Sequence, residues 1–162
     1  MWNEQIIMML LEGIKDTLYM TLTSTLIGYV IGLPMGILLT VTDKDGIHPN
    51  AAVYKVLDVI ANLIRSVPFL ILLIVLIPFT RFLIGRSYGP TATIVPLVIA
   101  AAPYIARMVE SSLKEVDAGV IEAARSMGAS NFTIVTKVML VEARTSLIVG
   151  RSEEHTSELQ SR

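Results

Sequence analysis

Apolar residues in this chain gather into long blocks rather than alternating with polar ones. No charge falls between Asp16 and Asp43, a run from Thr17 to Thr42. A second block, from about Val59 to Thr80, is interrupted only by Arg65, and a third, Ser87 to Ala106, is uncharged between Arg86 and Arg107. A helix rises about 1.5 Å per residue and needs roughly 20 residues to cross about 30 Å of hydrocarbon. The pattern therefore predicts an all-α, polytopic transmembrane protein with spans at residues 17–42, 57–81 and 87–107.

Ahead of the first block, Trp2 to Lys15 mixes Ile6, Ile7, Leu10, Leu11 and Ile14 with Glu4, Glu12 and Lys15. This reads either as an interfacial amphipathic helix anchored by Trp2 or as an early start of the first span. It is not a secretory signal peptide, since it lacks a basic leader and carries two acids. Within the first span Gly28, Gly32 and Gly36 recur every four residues, which puts three positions without side chains on one stripe and invites close approach of another helix. Pro34 predicts a bend there, and Pro68, Pro78, Pro90, Pro96 and Pro103 fall in or beside the other spans. Broken helices suit a transporter, where they line a solute route, better than a rigid anchor. Asp58 and Arg65 lie seven apart, on one face of the second block. Each is either a functional charge in the membrane or an interfacial, inter-helix contact.

Lys and Arg in the short loops set orientation. Lys44 and Lys55 follow the first span, and Arg107, Lys114, Arg125, Lys137 and Arg144 follow the third; only Lys15, Arg81 and Arg86 fall on the other side. The expected arrangement has the N-terminus outside, with the 43–55 loop and the segment after 107 in the cytoplasm.

Composition adds mainly exclusions. The chain is 53% hydrophobic with a mean hydropathy of +0.65, and its formal charge of −1 gives no electrostatic footprint for nucleic acid. It has no cysteine, and its two histidines, His48 and His155, are far apart, so no metal site is expected. No phosphate loop of the Walker type, no nucleophile with a base and no paired acids are present, so neither catalysis nor ATP hydrolysis is expected of this chain.

The most specific stretch follows the third block. Asp117 can cap a short helix over 118–127, Gly128 stands where a helix end favours a left-handed residue, and Ser130 can cap a second helix carrying Phe132, Val135, Val138 and Met139 on an apolar face. The result is a helix–turn–helix over about 117–141. Taken alone it is an ordinary amphipathic surface hairpin, a docking element, or a DNA-binding motif on a membrane tether; the last is weakened by the scarcity of cations on the second helix. From Arg151 the composition turns abruptly polar, and Arg151 to Ser161 can be encoded by a string resembling a common sequencing-library adapter read in frame. Residues 150–162 are therefore expected to be a non-native tail on an open reading frame that is cut short, and 1–149 the N-terminal part of a transmembrane domain.

Glu122-Ala123-Ala124, three residues and then Gly128 resemble the EAA loop of ABC importer permeases. Val138 to Leu140 continue that pattern, while Val141 stands where the family has proline. Arg65-Ser-Val-Pro-Phe-Leu, Ile77-Pro-Phe-Thr-Arg81, Ile94-Val-Pro-Leu97 and Ala102 to Glu110 are similar to the methionine-import branch, and the resemblance covers about residues 8 to 149. It implies a multi-pass permease of the bacterial inner membrane, working as a homodimer. Its partners would be a separate ATPase subunit, which binds the ATP, and a periplasmic or lipoprotein solute-binding protein. It also implies that Glu122, Ala123, Ala124 and Gly128 couple to the ATPase. A permease for another solute, a polar amino acid or a peptide, is the alternative.

Overall fold

The computed structural model describes residues 4–144; Trp2, His155 and the tail expected at 150–162 lie outside the described residues. Within them the chain is entirely helical: α1 (Glu4–Thr42), α2 (Ala51–Ser66), α3 (Phe69–Val75), α4 (Ile77–Ile84), α5 (Pro90–Lys114), α6 (Ala118–Ser126) and α7 (Asn131–Thr133). The last continues into a π-helical stretch, Ile134–Met139, and ordinary helix over 140–144.

α1 takes in both the lead-in segment and the first span. Its 39 residues rise about 58 Å, nearly twice the hydrocarbon thickness. Residues 4–19 are exposed throughout, so this end packs on nothing in the described chain. Further along, the buried side is a narrow stripe of Ser24, Gly28, Gly32, Gly36, Leu39 and Thr40. That stripe lies against α5. A Cβ added at Gly32 would stand 2.7 Å from the Ala102 carbonyl oxygen and 2.8 Å from the Ile105 Cβ. The two backbones are thus as close as they can be only because no side chain intervenes, which is how small residues bring membrane helices together.

The stretch expected as one span over 57–81 is divided into three helices. Between α2 and α3 the chain bends by 106°. The cause is local: Pro68 has no N–H to donate and forces Val67 out of the helical region, to φ −85° and ψ 125°. A second interruption at Leu76 precedes Pro78, which likewise cannot donate to the turn before it. Gly85, at φ 82°, then closes α4 with a left-handed residue whose N–H reaches the Arg81 carbonyl. Two helices, α1 and α5, are long and apolar enough to cross a membrane, and a third span is added if α2 and α3 form one broken crossing. Pro90 opens α5 at a position where its missing N–H has no partner to lose.

Candidate coupling hairpin

Three residues after α5 the chain leaves the bundle. Asp117 caps α6, its Oδ1 accepting from the Gly119 N–H at 2.6 Å. At the other end Gly128 sits at φ 81°, with its N–H bonded to the Arg125 carbonyl at 3.0 Å and the next N–H, of Ala129, to the Ala124 carbonyl at 3.1 Å. Those two bonds define a Schellman motif. Ser130 then caps the following helix, its Oγ accepting from the Thr133 N–H at 3.3 Å. The turn is thus fixed at three points by side chains or conformations that only these residue types supply.

The hairpin is seated on the bundle by one face. Ala124, 5% exposed, joins Leu113, Val116, Ile134, Val135 and Met139 in a core against which the ends of α1 and α5 pack. An alanine there lets α6 lie close, since any larger side chain would displace that core. Glu122 and Ala123 are exposed on the outer surface of the same helix. The four residues singled out in the sequence therefore divide: Ala124 anchors the hairpin, Gly128 shapes it, and Glu122 and Ala123 are presented outward. Glu122 also edges a cleft of about 470 Å³ shared with Arg125, Lys114, Asp43, Asp45 and Met139.

Phe132 does not join the apolar face its spacing suggested. It is 77% exposed, and Met127, which no pattern marked, is 82% exposed beside it. The reason lies just downstream, where the Leu140 N–H reaches back five residues to the Val135 carbonyl. A π-helical turn of this kind inserts a residue and rotates the register, so Ile134, Val135 and Met139 face inward while Phe132 turns out. The same inward packing commits the second helix of the hairpin to the protein's own core, leaving no free recognition helix for a DNA groove.

Where the hairpin joins α5, charged groups tie three helices together. Glu110, 4% exposed, accepts from Arg107 Nη1 at 2.7 Å, from Lys114 Nζ at 2.7 Å and from the Tyr54 hydroxyl at 3.4 Å. Arg107 also pairs with Asp58 of α2 and donates to Asn62 Oδ1 at 3.0 Å. Lys114 reaches Asp43, just beyond α1, at 2.6 Å. That hydrogen bond with the Lys114 ammonium is the main force holding the Asp43 carboxyl below its ordinary range. Asp58 therefore serves an inter-helix contact, but with Arg107 rather than on a shared face with Arg65. The stripe Arg107, Glu110, Lys114, at helical spacing on α5, was the sequence signal for this network; its partners 49 residues away left none. Because the network, the glycine stripe and the hairpin core all converge on the end of α5, a force on α6 is delivered to α1, α2 and α5 together.

These features define a class: a polytopic membrane subunit with kinked spans and an extramembrane hairpin built to be held by another protein. The chain belongs to the family of binding-protein-dependent transport system inner membrane components, whose model matches residues 7–150. It is 49% identical over 146 residues to the D-methionine transport system permease protein MetI of Salmonella typhimurium, and equally so to that of Escherichia coli K12. In both cases the match takes in 90% of this chain and 67% of the relative. Among solved structures, it matches inward-facing conformations of the MetNI methionine ABC transporter with a TM-score of 0.85 at 50% identity, over 88% of this chain and 66% of that one. An amino acid ABC transporter crystallised with histidines gives a TM-score of 0.54 at 25% identity, over 93% and 72%. The chain thus spans about two thirds of the length of the methionine permeases it resembles.

Proposed function

We propose that this chain is the permease subunit of an ATP-driven importer for methionine in the bacterial inner membrane, coupled to a separate ATPase through the hairpin 117–141. The observation that carries the coupling is the division of labour within Glu122-Ala123-Ala124: the third residue is buried in the hairpin core while the first two face outward. A docking helix needs that arrangement, one side fixed to the subunit that must move and the other free for the subunit that moves it. The substrate follows the relatives, which are named as D-methionine permeases at 42–50% identity. ATP is bound by the partner, and this chain carries neither cofactor nor metal. Two permeases serve two ATPases, since each hairpin engages one, and a solute-binding protein delivers methionine from outside. The orientation follows the basic residues, with the hairpin in the cytoplasm.

The test is uptake of radiolabelled methionine into proteoliposomes holding the full-length permease with its ATPase and binding protein. ATP-dependent accumulation, competed by unlabelled methionine and not by histidine or a dipeptide, is the expected result. Accumulation competed equally by histidine or the dipeptide would move the chain to another branch of the family.

A further inference from the structure

Arg65 ends α2, immediately before the 106° break at Val67 and Pro68. It makes no ion pair or hydrogen bond among the described residues, unlike Arg107, whose guanidinium is occupied by Asp58, Glu110 and Asn62. Arg65 borders a cleft of about 300 Å³ with Tyr104, Arg107, Met108, Ser111 and Ser112 of α5. The Ser112 hydroxyl is turned back onto the Met108 carbonyl at 2.9 Å, but those of Tyr104 and Ser111 have no hydrogen-bond partner among the described residues. A free guanidinium and two free hydroxyls therefore meet over one cavity, at the lower end of the range for small-molecule sites, about 300–1,000 Å³.

Two physical considerations say what fills it. An arginine within a span is costly unless it meets a water-filled cavity or an anion. Irregular backbone at membrane depth is not tolerated against lipid, and the non-helical residues 66–68 begin right after Arg65. Both place this face on an aqueous route rather than on the bilayer. Such a guanidinium suits a carboxylate, which it can grip with two parallel hydrogen bonds. Hydroxyls can donate to the same oxygens, and Met108 supplies an apolar wall for the rest of the molecule.

We infer that Arg65, assisted by the hydroxyls of Tyr104 and Ser111, receives the carboxylate of the transported amino acid as it passes through the membrane domain. The inference rests on the importer reading above. The chain has no cysteine, which makes the test specific. Arg65→Cys, introduced into the full-length permease and assembled with its ATPase and binding protein, should lower ATP-dependent methionine uptake at least about tenfold, as loss of a charge-assisted contact does. Treatment with 2-aminoethyl methanethiosulfonate, which restores a cation on the cysteine, should recover much of that uptake. Methyl methanethiosulfonate, which adds bulk without charge, should not, and excess methionine should slow the modification. Wild-type uptake by Arg65→Cys, recovery by both reagents alike, or no reaction of Cys with the water-soluble reagent would each overturn the assignment. Should that variant fail to accumulate in the membrane, Tyr104→Phe replaces it: a KM for methionine raised several-fold supports the site, and an unchanged KM overturns it. Absence of ATP-dependent methionine uptake by the wild type would instead defeat the importer reading itself.

Discussion

The glycine stripe permits a graded test of how α1 and α5 are held together. Replacing glycine by alanine in a helix gains about 0.8–1 kcal/mol of intrinsic propensity, while forcing an added methyl into a packed contact costs about 1–3 kcal/mol. Which effect wins depends on what the new Cβ meets. At Gly13 it would meet nothing within 4 Å, so Gly13→Ala should be neutral or slightly stabilising. At Gly28 it would lie 3.2 Å from Ile105 Cδ1 and 3.3 Å from Ala101 Cβ, the first being the free end of a side chain that can yield. Gly28→Ala should fall near zero. At Gly32 the obstacle is the Ala102 carbonyl at 2.7 Å, and at Gly36 the Ala106 carbonyl at 2.5 Å with Val109 Cβ at 2.7 Å. Backbone cannot yield without moving α5, so both should be destabilised by about 1–2 kcal/mol net, Gly36→Ala the more. In thermal denaturation of the detergent-solubilised full-length protein, followed by loss of the monodisperse peak, that corresponds to an apparent Tm lowered by about 2–8 °C. Equal behaviour of Gly13→Ala and Gly36→Ala would refute the close packing of these two helices.

Three further outcomes follow from the same geometry. Gly32→Leu should go beyond the alanine series and impair both accumulation and transport, measured by membrane yield and methionine uptake; normal values for both would remove the stripe from the account. Glu110→Ala should strand Arg107 and part-exposed Lys114 without their shared acceptor and destabilise by about 3 kcal/mol, with Glu110→Gln milder; thermal denaturation of the pair checks the order. For topology, single cysteines at Asp45 and Val120, both exposed, should react with an impermeant thiol reagent only from the cytoplasmic side, and one at Tyr88 only from outside. The opposite pattern would invert the orientation.

Much of this fold can be read from residue order alone because the bilayer imposes length and polarity on each span. Uncharged runs marked α1 and α5, and the four-residue recurrence of glycine marked the side of α1 that meets α5. The hairpin was legible for a different reason: Asp117, Gly128 and Ser130 each satisfy a helix end, and such signals are local. What was not legible depends on geometry over longer distances. Pro68 announced a bend but not its size, since the angle is fixed by packing of the short helices beyond it. Phe132 was misplaced because its spacing was counted at 3.6 residues per turn, and the π-helical turn that follows resets that count. Asp58 found its partner in Arg107 rather than in Arg65, because the pairing requires α2 and α5 to be side by side.

The central claim is that the hairpin transmits the work of an ATPase to these helices, and two substitutions outside the bilayer test it most directly. Glu122→Lys reverses the charge on the face offered to the partner. Gly128→Asp leaves its Cβ free of contacts but imposes φ 81° on a residue with a side chain, at about 1–2 kcal/mol. The measurement is ATP-dependent uptake of radiolabelled methionine into proteoliposomes, made beside co-purification of the ATPase with each variant of the full-length permease. Both variants should insert normally, retain little ATPase, and accumulate no methionine above the ATP-free control. Wild-type uptake and wild-type co-purification by both would contradict the account, and the hairpin would then be no more than a surface turn.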